Sequence, residues 1–288
     1  RLHEVPNQQL LASQCTRFSH TLMRPDELPK VLARAFAVFD SERPGPVHIE
    51  IPLDVITAEA ADLPGTPWPR IRAPGPDPSS IATLASRLVA AERPMIVAGG
   101  GAVNASPELE ELVAAIDAPL VTTVNGKGVL PPEHPLLIHG SPSLATVREE
   151  MASADAVLAV GTEFGETDYD MLVLGPVPEM QWLARIDVSA QQLSRGQRCD
   201  LPIVADSRLA LRALNQVIAA TIASDSDTGT LQIPVSDDNC ARTYGAQRCR
   251  GLNQAVRAEE HFNPELEPLF QKLRSASGDL CVVGDSTL

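Results

Sequence analysis

Aromatic residues are scarce in this 288-residue chain, at 3% of the total. That scarcity removes the stacking platforms on which single-stranded nucleic acids are held. Basic charge is also short: 23 Lys and Arg stand against 37 Asp and Glu, a net charge of -14. Phosphate backbones and anionic membranes need basic surface, so neither is an expected partner. The five cysteines (Cys15, Cys199, Cys240, Cys249 and Cys281) never fall in C-x-x-C spacing. A disulfide framework and a structural zinc site are therefore not expected, and a reducing cytoplasm is the simple reading. No apolar run is long enough to span a membrane, and Arg1 to Leu11 lacks the pattern of a signal peptide. Neither G-x-G-x-x-G nor a Walker lysine motif occurs.

What is present centres on the stretch Arg93 to Leu109. Met95 to Ala98 is a short run without polar alternation, as in a parallel strand covered on both faces. Gly99, Gly100 and Gly101 follow, where a backbone can turn sharply or let a ligand approach. Ser106 is then expected to cap a helix with Pro107 at its first position and Glu108, Glu110 and Glu111 in its first turn. A strand, a glycine turn and a helix N-terminus together can hold an anion, although glycines also occur in such turns for packing alone.

Further strands are expected at Pro119–Val124, Ala156–Val160, Trp182–Asp187 and Pro202–Ala205. Helices are expected from Ser79 or Ser80, over Leu109–Ile116 and Leu144–Met151, and after a Ser207 cap from Arg208 to Ala220. This alternation over residues 79–222 predicts an α/β fold with a doubly wound parallel sheet, a Rossmann-like central domain. Its strand ends carry Gly99 to Gly101, Thr123 with Val124 and Asn125, and Gly161 with Thr162, where ligands of open sheets bind. Asp187 ends another strand; it could hold a ribose hydroxyl or serve as a turn acid.

Before this unit, Leu28, Val31, Leu32, Ala35, Phe36 and Phe39 recur at helical spacing. Arg43-Pro44-Gly45-Pro46 then forces a turn into the strand Val47–Ile51, on which His48 and Glu50 share a face. Ala58 to Pro78 reads as an ordered linker, and Ala223 to Asp238 as a second. Cys240 to Arg257 is expected to be helical, as is a segment from Asn263, and Leu280–Val283 to be a strand running into Gly284. A chain with no initial Met that stops directly after a strand is expected to be a piece of something longer.

The order of these pieces resembles the thiamine diphosphate-dependent enzymes of the acetolactate synthase group. Arg43 to Val55 is similar to the strand that closes the family's pyrimidine-binding domain, and Arg93 to Gly101 to the first strand of its central domain. Val121 to Gly128 with His134-Pro135 is similar to the next block, and Val282 to Thr287 to the entry of the diphosphate-binding domain. Leu2 to Pro6, Phe18 to Leu22 and Gly161 to Asp170 look most like decarboxylases of 2-ketoarginine. The resemblance implies five segments: residues 1–57 as the end of a pyrimidine domain, 58–78 as linker, 79–222 as central domain, 223–262 as linker and 263–288 as the start of a diphosphate domain.

It further implies 2-oxo acid decarboxylation or carboligation with thiamine diphosphate and Mg2+, in a dimer or tetramer whose active sites form between subunits. The family's activating glutamate would precede Arg1 and its Mg2+ motif would follow Leu288, so activity is not expected of these 288 residues alone. Leu2 and His3 would lie near the active site, and Asp285, Ser286, Thr287 and Leu288 near the cofactor diphosphate. Flavin-binding members use the central strand ends, but Glu163 stands where they carry arginine, which argues against FAD. The resemblance thus favours a structural central domain, with ADP or FAD binding, or a non-catalytic structural paralogue, as alternatives. A guanidino substrate would need an acid, for which Glu163, Glu166 and Asp168 are candidates.

Overall fold

The computed structural model describes residues 5–60, 63, 66–166, 168–228 and 242–259. A small N-terminal unit holds helix α1 (Gln8–Ser13), strand β1 (Phe18–Thr21), helix α2 (Leu28–Ser41), strand β2 (Val47–Glu50) and the turn-length helix α3 (Leu53–Ile56). The α/β unit follows with α4 (Pro78–Ala90), β3 (Pro94–Ala98), α5 (Ser106–Ile116), β4 (Leu120–Thr122), α6 (Ala145–Ser153) and β5 (Ala156–Val160). It continues with α7 (Met171–Leu174), β6 (Leu183–Asp187), α8 (Ala190–Leu193), β7 (Leu201–Val204), α9 (Ser207–Thr228) and α10 (Arg242–Glu259).

The five strands of the α/β unit are all parallel, in the order β4-β3-β5-β6-β7. The register pairs Ile96 with Leu120 on one side and Leu158 on the other, then Leu158 with Ala184 and Ile186 with Ile203. Strands β3, β5 and β6 are buried at every position, which is why β3 and β5 read as continuous apolar runs. Alternate residues enter two cores. Ile96, Ala98, Leu120, Leu158 and Ile186 pack under α4, α5 and α9. Met95, Val97, Val121, Val157 and Leu183 pack with Met151 of α6, Tyr169, and Cys249 and Val256 of α10. Helix α10 lies in the stretch expected to link two domains, and burial pushes its Cys249 thiol up to about 12.

Helix starts depart from the sequence reading in one consistent way. Helix α4 is capped by Asp77, whose carboxylate accepts from the Ser80 N–H at 2.8 Å and from both serine hydroxyls expected to do the capping. At α9 the Asp206 carboxylate accepts from the Leu209 N–H at 3.0 Å, so Ser207 is not the cap. A carboxylate adds charge to the capping bond and outcompetes a neighbouring hydroxyl. Ser106 does not cap α5 either. Residues 100–105 form a 3-10 helix that runs straight into α5, and the Ser106 hydroxyl donates back to the Val103 carbonyl at 3.0 Å. Helix α9 continues to Thr228, beyond the expected end at Ala220.

In the N-terminal unit β1 and β2 pair in parallel, bringing Ser19 opposite His48 and Thr21 opposite Glu50. The Ser19 hydroxyl lies 2.8 Å from His48 Nδ1, and the Thr21 hydroxyl donates to Glu50 at 2.6 Å. His48 and Glu50 do share a face, but each is engaged by its own cross-strand neighbour. The apolar stripe of α2 is only partly covered: Val31, Ala35 and Val38 are buried, whereas Leu32, Phe36 and Phe39 remain exposed. Two short strands present too little surface to cover so wide a stripe.

Candidate functional site

The carboxyl ends of β3, β4, β5 and β6 bring together the residues expected to form a nucleotide site. In this strand order the chain reverses direction of growth between β3 and β5, the position where open sheets bind ligands. That position is filled by the chain's own backbone. The Gly101 N–H donates to the Gly161 carbonyl at 3.0 Å, and the Gly99 N–H to the Val160 carbonyl at 2.9 Å. A Cβ placed on Gly99 would meet Thr162 Cα at 2.7 Å, and one on Gly101 would meet Gly161 Cα at 2.8 Å. A Cβ on Gly100 would meet Asn125 Cβ at 3.0 Å. The space these glycines leave is thus occupied by the neighbouring loops, so a side chain at any of the three would collide with them.

The other candidates are held by local bonds. The Val124 side chain is exposed, and its N–H donates to Asp168 at 3.3 Å. Thr123 and Thr162 are buried. The Asp187 carboxylate accepts from the Ser189 N–H at 2.8 Å and so shapes its own turn. Leu2, His3, Asp285, Ser286, Thr287 and Leu288 lie outside the described residues. Glu163 is paired with Arg43, which reaches in from the Arg-Pro-Gly-Pro turn before β2. Of the acids considered for a guanidino group, Asp168 is therefore engaged by backbone and Glu163 by an arginine.

One residue of this end was not singled out from the sequence. Arg185 is 1% exposed, although it sits mid-strand in β6. Its guanidinium donates to the Arg195 carbonyl at 2.9 Å and the Thr162 carbonyl at 3.3 Å, and lies over the Phe164 ring at 5.1 Å. It ties the loops after β5 and α8 to the sheet, and burial holds its pKa below the ordinary arginine value. The signal was there: one charged residue within the apolar run Leu183-Ala184-Arg185-Ile186.

Burial also raises the Asp187 carboxyl above the usual carboxylate range, against the Ser189 N–H and the charges of Arg185 and Arg43. A carboxyl whose folded pKa is raised binds its proton more tightly when folded, so its penalty is absent at low pH and grows as pH rises through that pKa. Asp187→Asn keeps an acceptor for Ser189 and carries no charge. We expect its melting temperature to exceed that of the native chain at neutral pH, with the gap closing as pH falls to about 4. Equal melting temperatures at both ends of that range would contradict this account.

Among the described residues, no three His, Cys, Asp or Glu side chains are grouped to hold a metal ion. Nor is any described helix long and apolar enough to cross a membrane.

Comparison with known proteins decides the family. Residues 81–214 match the family model of the thiamine pyrophosphate enzyme central domain. Residues 81–214 belong to the family of thiamine pyrophosphate enzyme central domains. This domain accounts for the parallel sheet and for helices α4 to α9 up to residue 214. The chain is 42% identical over 218 residues to the probable 2-ketoarginine decarboxylase AruI of Pseudomonas aeruginosa, covering 74% of this chain and 38% of that protein. It is 32% identical over 228 residues to a probable acetolactate synthase large subunit of Methanocaldococcus jannaschii, covering 74% of this chain and 37% of that one. The fold is shared with benzoylformate decarboxylase from Polynucleobacter necessarius, with a TM-score of 0.56 at 19% identity over 70% of this chain and 38% of that one. The chain thus spans less than half the length of each of these three proteins.

Proposed function

We propose that this chain is the middle part of a thiamine diphosphate-dependent 2-oxo acid decarboxylase or carboligase, its central domain serving as a structural spacer. The observation that carries the enzymatic reading is the 42% identity to the probable 2-ketoarginine decarboxylase AruI across 74% of the chain. Thiamine diphosphate, when bound, supplies the electron sink for decarboxylation. The residues proposed to approach it are Asp285 to Leu288 at one end and Leu2 and His3 at the other. In this reading residues 1–57 complete a pyrimidine-binding domain, 79–222 form the central domain and 263–288 begin a diphosphate-binding domain. The substrate is a small 2-oxo acid, Mg2+ accompanies the diphosphate, and the full enzyme works as an oligomer in the cytoplasm.

The spacer role is supported by the interlocked Gly99, Gly101 and Gly161 and by the pairing of Glu163 with Arg43. Both fill the strand ends with the chain's own groups. The purified chain is accordingly expected to be colourless and to melt at the same temperature with and without ADP or FAD. A yellow preparation would replace the spacer reading with a flavin-binding one.

The decisive experiment offers the full-length protein 2-ketoarginine, pyruvate, glyoxylate and benzoylformate with thiamine diphosphate and Mg2+, and measures CO2 release. Release that depends on thiamine diphosphate is expected from the full-length protein and not from these 288 residues. No release from any of the four would sink the enzymatic reading. Release from pyruvate but not 2-ketoarginine would exclude the guanidino substrate.

A further inference from the structure

The N-terminal unit has one side that the described residues leave open. Its sheet holds only β1 and β2, the smallest number of strands a sheet can have. Strand β2 has a neighbour on one side alone. Among the described residues, no backbone group of residues 47–49 is bonded outside the β1–β2 ladder. On β1, by contrast, the Ser19 carbonyl also accepts from the Gln9 side chain at 3.1 Å. A free row of N–H and C=O groups such as that along β2 is a template for a further strand.

Helix α2 repeats this asymmetry. Val31, Ala35 and Val38 are buried in the core of the unit. At about 3.6 residues per turn, Arg34 falls on one flank of that stripe, and Leu32, Phe36 and Phe39 fall on the other. The Arg34 guanidinium lies over the Phe18 ring of β1 at 4.1 Å. The opposite flank therefore points away from β1 and past β2. Its Leu32, Phe36 and Phe39 are 40%, 50% and 44% exposed. The open strand edge and the open apolar flank thus lie on the same side. A strand beside β2 would fill the first, and a helix beside α2 the second.

We propose that this surface docks a β-strand parallel to β2 together with its crossover helix, both supplied by the part of the full-length protein outside these 288 residues. Parallel strands need a crossover connection, and α2 already provides one between β1 and β2. The relatives leave length for it, since the matched stretch is 38% of AruI and 37% of the Methanocaldococcus jannaschii protein. The proposal rests on the reading of residues 1–57 as part of a larger domain, and it adds which strand edge and which helix flank join that domain to the rest.

The test compares the 288-residue chain with the full-length protein and involves no turnover. Hydrogen exchange of the β2 amides is expected to be about tenfold or more slower in the full-length protein. The thiol of a Phe36→Cys variant should react with a maleimide as fast as the exposed Cys15 in the 288-residue chain, and about tenfold or more slowly in the full-length protein. The exchange measurement uses the unsubstituted protein and decides the matter if the variant does not fold. Equal exchange of β2 in the two proteins would overturn the proposal, as would an equally reactive thiol. Protection lost on dilution of the full-length protein to monomers would also overturn it, because the cover would then be a second copy. An inactive full-length protein with a protected β2 would keep this proposal and sink only the enzymatic reading.

Discussion

Replacing Gly161 with alanine is expected to destabilise the chain by about 3 kcal/mol or more, measured by urea unfolding. Two costs combine. Gly161 has φ +58, which disfavours any Cβ. The added carbon would also lie 2.5 Å from Gly101 Cα, 2.6 Å from Gly101 C and 2.8 Å from Ala102 N. All three are backbone atoms, held by the Gly101–Gly161 hydrogen bond and by the strands beneath, so none can rotate away. Gly128 provides the control. Its φ is +90, but a Cβ there would meet nothing within 4 Å. Gly128→Ala should therefore show the conformational cost alone, about 1–2 kcal/mol. Equal losses at the two positions would mean that the β3 and β5 loops separate easily, and the spacer reading would lose its main support.

Removing Glu150 should cost about 3–5 kcal/mol, because it leaves a buried guanidinium unpaired. Glu150 lies on α6 and is 8% exposed. Its carboxylate accepts from Arg93 at 3.1 and 3.3 Å and from Arg248 Nε at 3.0 Å, with Arg248 Nη2 also bonded. Arg93 is partly in water and can be resolvated, whereas the Arg248 side chain is only 9% exposed. The loss should thus fall on the docking of α10, read as faster hydrogen exchange of its amides in Glu150→Ala. Glu150→Gln keeps an acceptor and should lose less. A variant within about 1 kcal/mol of native would show the network behaving as an exposed surface pair.

Much of the fold was legible because strands β3 and β5 are covered on both faces and carry unbroken apolar runs. Strand β1 was not, because Phe18-Ser19-His20-Thr21 is short and half polar and becomes a strand only by pairing with β2, about thirty residues away. The candidate site was legible in its residue positions but not in their contacts. Gly99 and Gly161 are far apart in the chain, and nothing local reveals that each fills the other's missing side chain. Arg185 shows the reverse case: its oddity was visible, while its carbonyl partners came from loops only the fold assembles.

Taken alone, the amino-acid sequence determined the alternating parallel architecture and the acidic, aromatic-poor composition, which follow from local periodicity and residue content. The family entered by resemblance of particular segments, and the central-domain match supports it over residues 81–214. Only the tertiary structure decided that the glycine turn after β3 packs against the turn after β5, that Arg43 answers Glu163, and that Arg185 is buried against the carbonyls of Arg195 and Thr162. Each of these depends on atoms from distant parts of the chain meeting at hydrogen-bond or van der Waals distance, which periodicity does not encode.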